Sequence, residues 1–422
     1  MEKLALYGGE PLRKKPFPSK YIGVTFYGDE EMKELKDVIE DKSPFRFYGC
    51  GNPQKVSTLE KEVREYFGCS YALAVSSGSG ALFCAIAALG VGPGDEVIIP
   101  AFGWYSDYFA ITNMGALPVF SDVDENLNLD PADLQKKITS RTKVIVAIDF
   151  QGCPAKMKEI LEIARVNHVR VLEDVAQAFG GSYQGVKLGT MGDIAIASFQ
   201  QNKMISSGEG GILFTNDEEL FVRAIRYHDL GNVRPFFMDQ LKNKELAKEE
   251  NMFAGLQFRM SELQGAVMLA QFRKLDMILD ITRRHHAEIR AVFKQNKHFK
   301  IRYIDGDCGI TLFMLFPTKQ EAAKFGECLQ AEGITLGASS ACKNLVLQYP
   351  IKNKKLIHDS LPPFGFGFAG YETVYNPLVC CPNTDELVER NVALVVGPQY
   401  SDEDVKDIIM AIEKVDRNLY GV

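Results

Sequence analysis

Short apolar runs recur along the first half of the chain, each closed by polar or turn-forming residues. Between residues 70 and 215 they are Tyr71–Val75, Glu96–Pro100, Leu117–Ser121, Lys143–Ile148, Val169–Glu173, Ile194–Phe199 and Gly211–Thr215, and each has the length of a strand. Between several of them the apolar spacing lengthens to a helical period, at Ala81–Leu89, Pro131–Ile138 and Pro154–Asn167. Strands alternating with helices predict an α/β domain: a mostly parallel seven-stranded sheet with helices on both faces. Ligands of such sheets sit beyond the carboxyl ends of the strands.

The pattern then changes. A long helical stretch, Ser261–Phe293, carries the stripe Leu263, Val267, Leu269, Phe272, Leu275 and Ile278, and it is expected to bridge to a second unit. The tail from about residue 295 reads as a smaller α+β unit ending in an amphipathic helix, Ser401–Leu419, with Ser401 as its N-cap and Glu403 in its first turn. Near the start, Asp29–Asp41 reads as a helix capped by Asp29, preceded by an arm. A chain of 422 residues exceeds what one core usually supports. The expected organisation is therefore an arm over 1–28, a large domain over 29–275 and a small C-terminal α+β domain over 276–422.

Composition narrows the function. Hydrophobic residues make up 46% and charged residues 24%, which favours a folded, enzyme-like globule over disorder. With 48 Lys+Arg against 55 Asp+Glu, the formal charge of -7 leaves no footprint for nucleic acid or an anionic membrane. The opening Met1-Glu2-Lys3-Leu4-Ala5-Leu6-Tyr7-Gly8-Gly9 lacks a signal-peptide pattern, so a cytoplasmic protein is expected. Even the apolar stretch from Glu96 to Phe109 is broken by Pro100, Gly103 and Asp107, too soon to span a bilayer. The 9 cysteines lack CxxC or Cys/His spacing, and only Cys380 and Cys381 are adjacent, which suggests reduced, buried thiols and no metal site.

Candidate chemistry gathers at the predicted strand ends. Ser76-Ser77-Gly78-Ser79-Gly80 joins a strand to a helix, and small residues there leave backbone N–H groups at the positive end of a helix dipole, an anion site. A plain strand-to-helix turn accounts for it equally well. Trp104, just past Pro100, could stack on a flat cofactor or simply fill a core or interface. Asp174 follows Val169–Glu173, where a carboxylate can hold a pyridine nitrogen protonated or merely cap a helix. Gln177, one turn on, could donate to a cofactor oxygen. The strand from Ile194 runs through Ser198 into a polar loop ending at Lys203, with Ser206-Ser207-Gly208-Glu209-Gly210-Gly211 beyond it. A lysine pressed against a cofactor and partly desolvated has the lowered pKa that Schiff-base chemistry needs. Most lysines are solvated surface residues, but here four weak signals fall at one end of one sheet.

These residues resemble a known family. Ser77-Gly78-Ser79, Gly92-Pro93-Gly94-Asp95-Glu96-Val97, Glu173-Asp174-Val175-Ala176-Gln177-Ala178 and Ser207-Gly208-Glu209-Gly210-Gly211 are similar, in kind and order, to the DegT/DnrJ/EryC1/StrS sugar aminotransferases. The likeness runs over about residues 70–275, and Gly8-Gly9-Glu10-Pro11 and Ser401-Asp402-Glu403-Asp404 also fit. It implies the aspartate-aminotransferase-like fold of type-I pyridoxal-phosphate enzymes, a homodimer, and pyridoxal 5'-phosphate at the subunit interface. By the same resemblance Lys203 carries the cofactor and shuttles the proton, Asp174 pairs with its ring nitrogen, Gln177 lies by its phenolic oxygen, Gly78, Ser79 and Ser198 hold its phosphate, and Trp104 stacks on its ring.

Three departures stand out. Gln257, in Gly255-Leu256-Gln257-Phe258-Arg259, replaces an asparagine that contacts the phosphate from the neighbouring subunit. Asp149-Phe150-Gln151-Gly152 stands where the family has His-Leu-Tyr-Gly, and Gly103 precedes Trp104 where threonine is commoner. The implied activity is transfer of an amino group from glutamate or glutamine to a keto or aldehyde carbon of a nucleotide-linked ketosugar, an inosose-type cyclitol or an octulosonate, in antibiotic or cell-surface polysaccharide biosynthesis. Two rivals are a sugar dehydratase on the same fold, which carries histidine in place of Lys203, and a non-catalytic regulator or scaffold.

Overall fold

The computed structural model describes residues 2–19, 21–337, 344–365 and 381–421; Cys342 and Cys380 fall outside them. Its main sheet contains β1 (Tyr71–Val75), β2 (Glu96–Pro100), β3 (Leu117–Ser121), β4 (Thr142–Ile148) and β5 (Arg170–Asp174). A small hairpin of β6 (Ser182–Tyr183) and β7 (Val186–Lys187) comes next, and then β8 (Ile194–Ser198) and β9 (Gly211–Thr215) complete the sheet. Its order is β1-β9-β8-β5-β4-β2-β3. Neighbours from β3 across to β8 are parallel, whereas β9 runs antiparallel to both β8 and β1. Nearly every residue of these strands is buried, as expected for a sheet covered by helices on both faces.

All seven expected strands are present, with boundaries shifted by at most one residue. The shift at β5 matters, because it makes Asp174 the last residue of the strand rather than the first of the loop. Helices differ more at their starts. The helix after β1 begins at Gly78, three residues before its apolar pattern, because Ser77 caps it by accepting a hydrogen bond from the Gly80 N–H at 3.0 Å. The first long helix begins at Asp29 itself, so its cap is Gly28 and not Asp29; the Glu31 carboxylate accepts from the Gly28 N–H at 2.7 Å. The stretch read as one helix is two, Glu262–Phe272 and Leu275–Phe293. They part at Arg273-Lys274, where the Lys274 ammonium is bound by the Phe26 carbonyl and the Glu31 carboxylate.

Two hydrophobic clusters form. The larger is built around the seven-stranded sheet; the other joins Ile289, Phe293, Phe299, Leu312, Phe316, Phe325, Leu394, Ile408 and Ile412. This second cluster lies against a three-stranded antiparallel sheet of β10 (Lys300–Ile301), β11 (Thr311–Leu315) and β12 (Asn391–Val395). The closing helix Asp402–Tyr420 packs there, capped as expected by Ser401, whose hydroxyl accepts from the Asp404 N–H. Helix Leu275–Phe293 contributes Leu275, Ile278 and Leu279 to the first cluster and Ile289 and Phe293 to the second.

The N-terminal segment is tied to the second cluster. Leu4 enters the second cluster, and the fully buried Glu332 carboxylate accepts from the N–H groups of Ala5 and Leu12 while pairing with Lys414. Among the described residues no disulfide forms; Cys69, Cys84, Cys153, Cys308, Cys328 and Cys381 are buried, and Cys50, against expectation, is exposed. No helix among the described residues is long and apolar enough to cross a membrane.

Candidate active site

The carboxyl ends of β1, β2, β5 and β8 bring the candidate residues to one side of the sheet. Lys203 sits on the loop between β8 and β9. This loop continues the strand pairing before it opens: the Phe199 N–H donates to the Gly210 carbonyl and the Gln201 N–H to the Gly208 carbonyl. The Ser206 hydroxyl donates back to the Phe199 carbonyl at 2.8 Å. The N-terminal segment packs against the same loop. Gly23 lies so near it that a Cβ there would come within 2.6 Å of the Lys203 carbonyl oxygen, and the Tyr27 hydroxyl donates to the Ser206 carbonyl at 2.8 Å. Lys203 is half-buried. Burial pushes its ammonium below the usual lysine pKa, and the Asp174 and Asp107 carboxyls oppose that shift.

The anion cradle is a close approach of two elements. A Cβ added at Gly78 would lie 2.6 Å from the Ser198 Cβ and 2.8 Å from its Oγ, and one at Gly211 would lie 2.4 Å from the Ser77 carbonyl oxygen. Glycine at both positions therefore lets the helix start drop onto the ends of β8 and β9. Among the described residues nothing bonds the first two helical N–H groups, those of Gly78 and Ser79, and Ser198 stands beside them. Unpaired N–H groups, a helix dipole and a hydroxyl together suit a phosphate.

Asp174 is 7% exposed, and its Oδ1 accepts from the Ala176 N–H at 2.8 Å, so the capping role open to it is also filled. Burial raises its carboxyl above the usual range; the Ala176 N–H, Lys203 and Asp107 pull it back. Gln177 is half-buried, and its Oε1 accepts from the Gln151 N–H at 3.0 Å, which turns the two amide N–H donors of the side chain to other work. Gln151 makes that contact at a conformational cost, since its backbone is left-handed with φ of 51°. Its own amide oxygen accepts from the Thr311 hydroxyl at 2.9 Å, and Arg302 binds its carbonyl, joining the site to the three-stranded sheet. Neighbouring Asp149 is fully buried, accepts from the Ala155 N–H, and is pushed well above the usual carboxyl range by burial and by Glu173.

Trp104 lies past the end of β2, 53% exposed and stacked on Tyr105 with centroids 4.3 Å apart, so most of the indole faces open space. Gln257 is exposed too, on a stretch bridged to Asp229 whose next residue, Phe258, packs over Gly80. Of the candidate residues, Gly78, Ser79 and Ser198 meet in the cradle, and Lys203 lies within electrostatic reach of Asp174. Trp104 and Gln257 stand outward in the single chain.

One residue of the site is missed by the sequence pattern. Asp107, which reads in the sequence only as a break in an apolar run, is 2% exposed in the first turn of helix Ser106–Asn113, and burial together with the nearby Asp174 carboxyl pushes its own carboxyl well above the usual range. A lone aspartate among Phe102, Tyr108 and Ala110 just past a strand end was the available signal.

The residues present fit pyridoxal phosphate: the cradle left open by Gly78 suits its phosphate, and the acid pair of Asp174 and Asp107 suits a protonated ring nitrogen. Fold and site define the class of protein, a pyridoxal-phosphate-dependent aminotransferase on the type-I fold, and known proteins agree. Residues 28–346 match the DegT/DnrJ/EryC1/StrS aminotransferase family, and the chain belongs to it. It is 31% identical over 396 residues to the spore coat polysaccharide biosynthesis protein SpsC of Bacillus subtilis (strain 168), covering 92% of this chain and 95% of the relative. Against the GDP-perosamine synthase of Caulobacter vibrioides it is 38% identical over 221 residues, 52% of this chain and 56% of that one. Among solved structures, 3-amino-5-hydroxybenzoic acid (AHBA) synthase superposes with a TM-score of 0.77 at 25% identity, covering 96% of this chain and 100% of the other. PseC of Helicobacter pylori, an aminotransferase involved in the biosynthesis of pseudoaminic acid, shares the fold with a TM-score of 0.76 at 20% identity, covering 96% and 100%.

Proposed function

We propose that this aminotransferase moves an amino group from glutamate or glutamine to a keto or aldehyde carbon of a sugar-like acceptor, working as a cytoplasmic homodimer. A nucleotide-linked ketosugar for cell-surface polysaccharide is the acceptor we favour, because the names of the Bacillus and Caulobacter relatives point that way. An inosose-type cyclitol is the second choice, supported by 32% identity over 282 residues to a protein of Micromonospora echinospora named for an aminated scyllo-inosose. The observation that carries the reading is the half-buried Lys203 within electrostatic reach of Asp174 at the carboxyl end of a mostly parallel sheet.

In this proposal each residue has one task. The N–H groups of Gly78 and Ser79 and the Ser198 hydroxyl hold the phosphate. Asp174 keeps the ring nitrogen charged, Gln177 donates an amide N–H to the phenolic oxygen, and the open face of Trp104 covers the ring. Bound pyridoxal phosphate supplies an electron sink and a carrier for the amino group. Lys203 Nζ, held toward its free-base form by burial, takes a proton from the substrate's α-carbon and returns it. Exposed Gln257 reaches the phosphate of a second copy. The arm is residues 1–28, and the large and small domains meet at residue 275. Lys203 stands where the related dehydratases have histidine, and the intact pair of Lys203 and Asp174 argues against a mere scaffold.

The test is borohydride reduction of the protein loaded with pyridoxal phosphate, followed by peptide mapping. The pyridoxyl mass is expected on the Lys203 peptide, and a label elsewhere, or none, overturns the assignment. With a converted keto-sugar in hand, initial-velocity plots should be parallel, as for a substituted-enzyme cycle; intersecting lines would count against it.

A further inference from the structure

The stretch Asp149-Phe150-Gln151-Gly152, which follows β4, is fixed from two sides. From the main sheet and the loop after β3, the Asp149 N–H donates to the Asp174 carbonyl at 3.1 Å and the Phe150 N–H to the Asn128 side-chain oxygen at 2.9 Å. From the other side comes the Arg302 guanidinium, 5% exposed, whose central carbon lies 4.1 Å from the centre of the Phe313 ring. It donates to the Gln151 carbonyl at 3.1 Å and to the Asn126 carbonyl at 3.2 Å. The Thr311 hydroxyl, at the start of β11, donates to the Gln151 Oε1 at 2.9 Å, and the Cys308 N–H donates to the Gly152 carbonyl at 2.9 Å. Between these clamps Gln151 takes φ of 51° and ψ of 44°, a left-handed backbone that a residue with a side chain keeps only where its surroundings impose it.

That conformation points the Gln151 N–H at Gln177. An N–H can only donate, so the Gln177 atom facing it at 3.0 Å is the amide oxygen, and the sense of that amide is settled before any ligand arrives. Its Nε2 group makes no hydrogen bond among the described residues. The last torsion of a glutamine side chain is broad and nearly two-fold. Were the Gln151 N–H to turn away, the amide could rotate by half a turn and present an acceptor where a donor had been.

We propose that Gln151 is a positioning residue: its left-handed backbone, held by Arg302 and Thr311, aims its N–H at Gln177 and so keeps the Gln177 amide turned with its N–H donors toward the cofactor's phenolic oxygen. This rests on the placement of that oxygen at Gln177 under the proposed function. A donor there stabilises negative charge on the oxygen. Clamps from the three-stranded sheet thereby set how tightly the bound cofactor holds its titrating proton. Gln151 itself need not touch the cofactor.

The test uses neutral substitutions only, so the charged groups around the loop and the site, Asp149, Asp174, Lys203, Arg302 and Asp307, keep their charges. Gln151→Gly adopts the left-handed backbone freely and leaves the N–H in place, whereas Gln151→Val resists that backbone and turns the N–H away. Gln151→Thr, polar and also β-branched, replaces the valine variant should that fail to fold. Gln177→Leu removes the donor outright. Two quantities are read, the pH midpoint of the bound cofactor's visible band and the melting temperature. Without the donor the oxygen is more basic, and the proton it shares is held to higher pH. Losing one hydrogen bond to a charged oxygen should raise the midpoint of Gln177→Leu by about one unit, a tenfold change. Gln151→Val should give at least half of that rise, and Gln151→Gly should stay within about 0.2 unit of native. Gln151→Val combined with Gln177→Leu should rise no further than Gln177→Leu alone, because both act through one amide. Equal rises in the valine and glycine variants would mean that the side chain acts and not the aimed N–H, and the proposal falls. It falls too if the valine variant changes melting temperature alone, or if its rise adds in full to that of Gln177→Leu. Gln177→Leu separates the premise: a native midpoint in that variant means that the phenolic oxygen is not at Gln177 and the proposed cofactor placement fails, whatever the changes at position 151 do.

Discussion

Replacing Gly78 by alanine tests the anion cradle directly. The new Cβ would sit 2.6 Å from the Ser198 Cβ and 2.8 Å from its Oγ, against an ordinary carbon–carbon contact of about 3.5–4.0 Å. Something must move by about 1 Å. Ser198 is the last residue of a buried strand, paired with Gly211, and has little room to retreat. The helix start is held by the Ser77 cap and by the Ser76 N–H donating to the Phe258 carbonyl at 2.7 Å. Overpacking of this kind costs about 1–3 kcal/mol, and alanine's better helix propensity returns at most about 1 kcal/mol. The larger effect is on binding. A shift near 1 Å at the first helical turn weakens one or two charge-assisted hydrogen bonds worth about 1.5–3 kcal/mol each, so affinity for pyridoxal phosphate should fall by about tenfold to a hundredfold or more. Fluorescence titration of the cofactor-free protein measures the affinity, and thermal melts measure the stability. Gly78→Ala combined with Ser198→Gly should recover the melting temperature but not the full affinity, because the clash goes and the hydroxyl goes with it. If Gly78→Ala alone melts normally and binds within twofold of native, the close approach is not the feature that shapes the site.

Glu332→Gln should loosen the N-terminal segment: it takes the carboxylate from the Lys414 ammonium, which keeps only its bond to the Glu10 carbonyl, and weakens the grip on the Ala5 and Leu12 N–H groups, for a loss of about 3 kcal/mol measured by denaturant melts. His286 is buried, and burial above all lowers its pKa to about 4. The unfolded chain takes up this proton near pH 6.5, the folded one only near 4, so the stability is complete above pH 6.5 and drains away as the pH falls between those values, by about 2 kcal/mol at pH 5. His286→Gln should flatten that part of the stability–pH curve, and an unchanged slope would show that this histidine is not the acid-sensitive group.

The sheet was legible because its strands are apolar runs closed by turn residues, a local property that needs no knowledge of partners. Lys203, Asp174 and the Gly78 loop were legible for a related reason: in a mostly parallel sheet, the loop residues just after a strand gather at its carboxyl end. Asp107 was not, since its meaning depends on a partner 67 residues away, and a buried carboxyl without Asp174 beside it would be only a misplaced charge. Helix limits failed where a side chain made the decision, as when Glu31 closes the turn at Gly28 or Lys274 is drawn to Phe26 and Glu31 and breaks one helix into two. The strands Lys300–Ile301, Thr311–Leu315 and Asn391–Val395 went unlocated because they pair across long separations, with intervals too irregular to carry a period.

The reversed direction of β9 has a consequence for how this lysine can be altered. A parallel neighbour would have required a long excursion over the face of the sheet, whereas the antiparallel return makes residues 199–210 the tip of a hairpin, clamped where Ser198 meets Gly211. Adding or deleting one residue at such a tip cannot be absorbed as slack. It would slide the ladder, invert which side chains of β9 face each layer of helices, and lift Gly211 from its seat against Ser77.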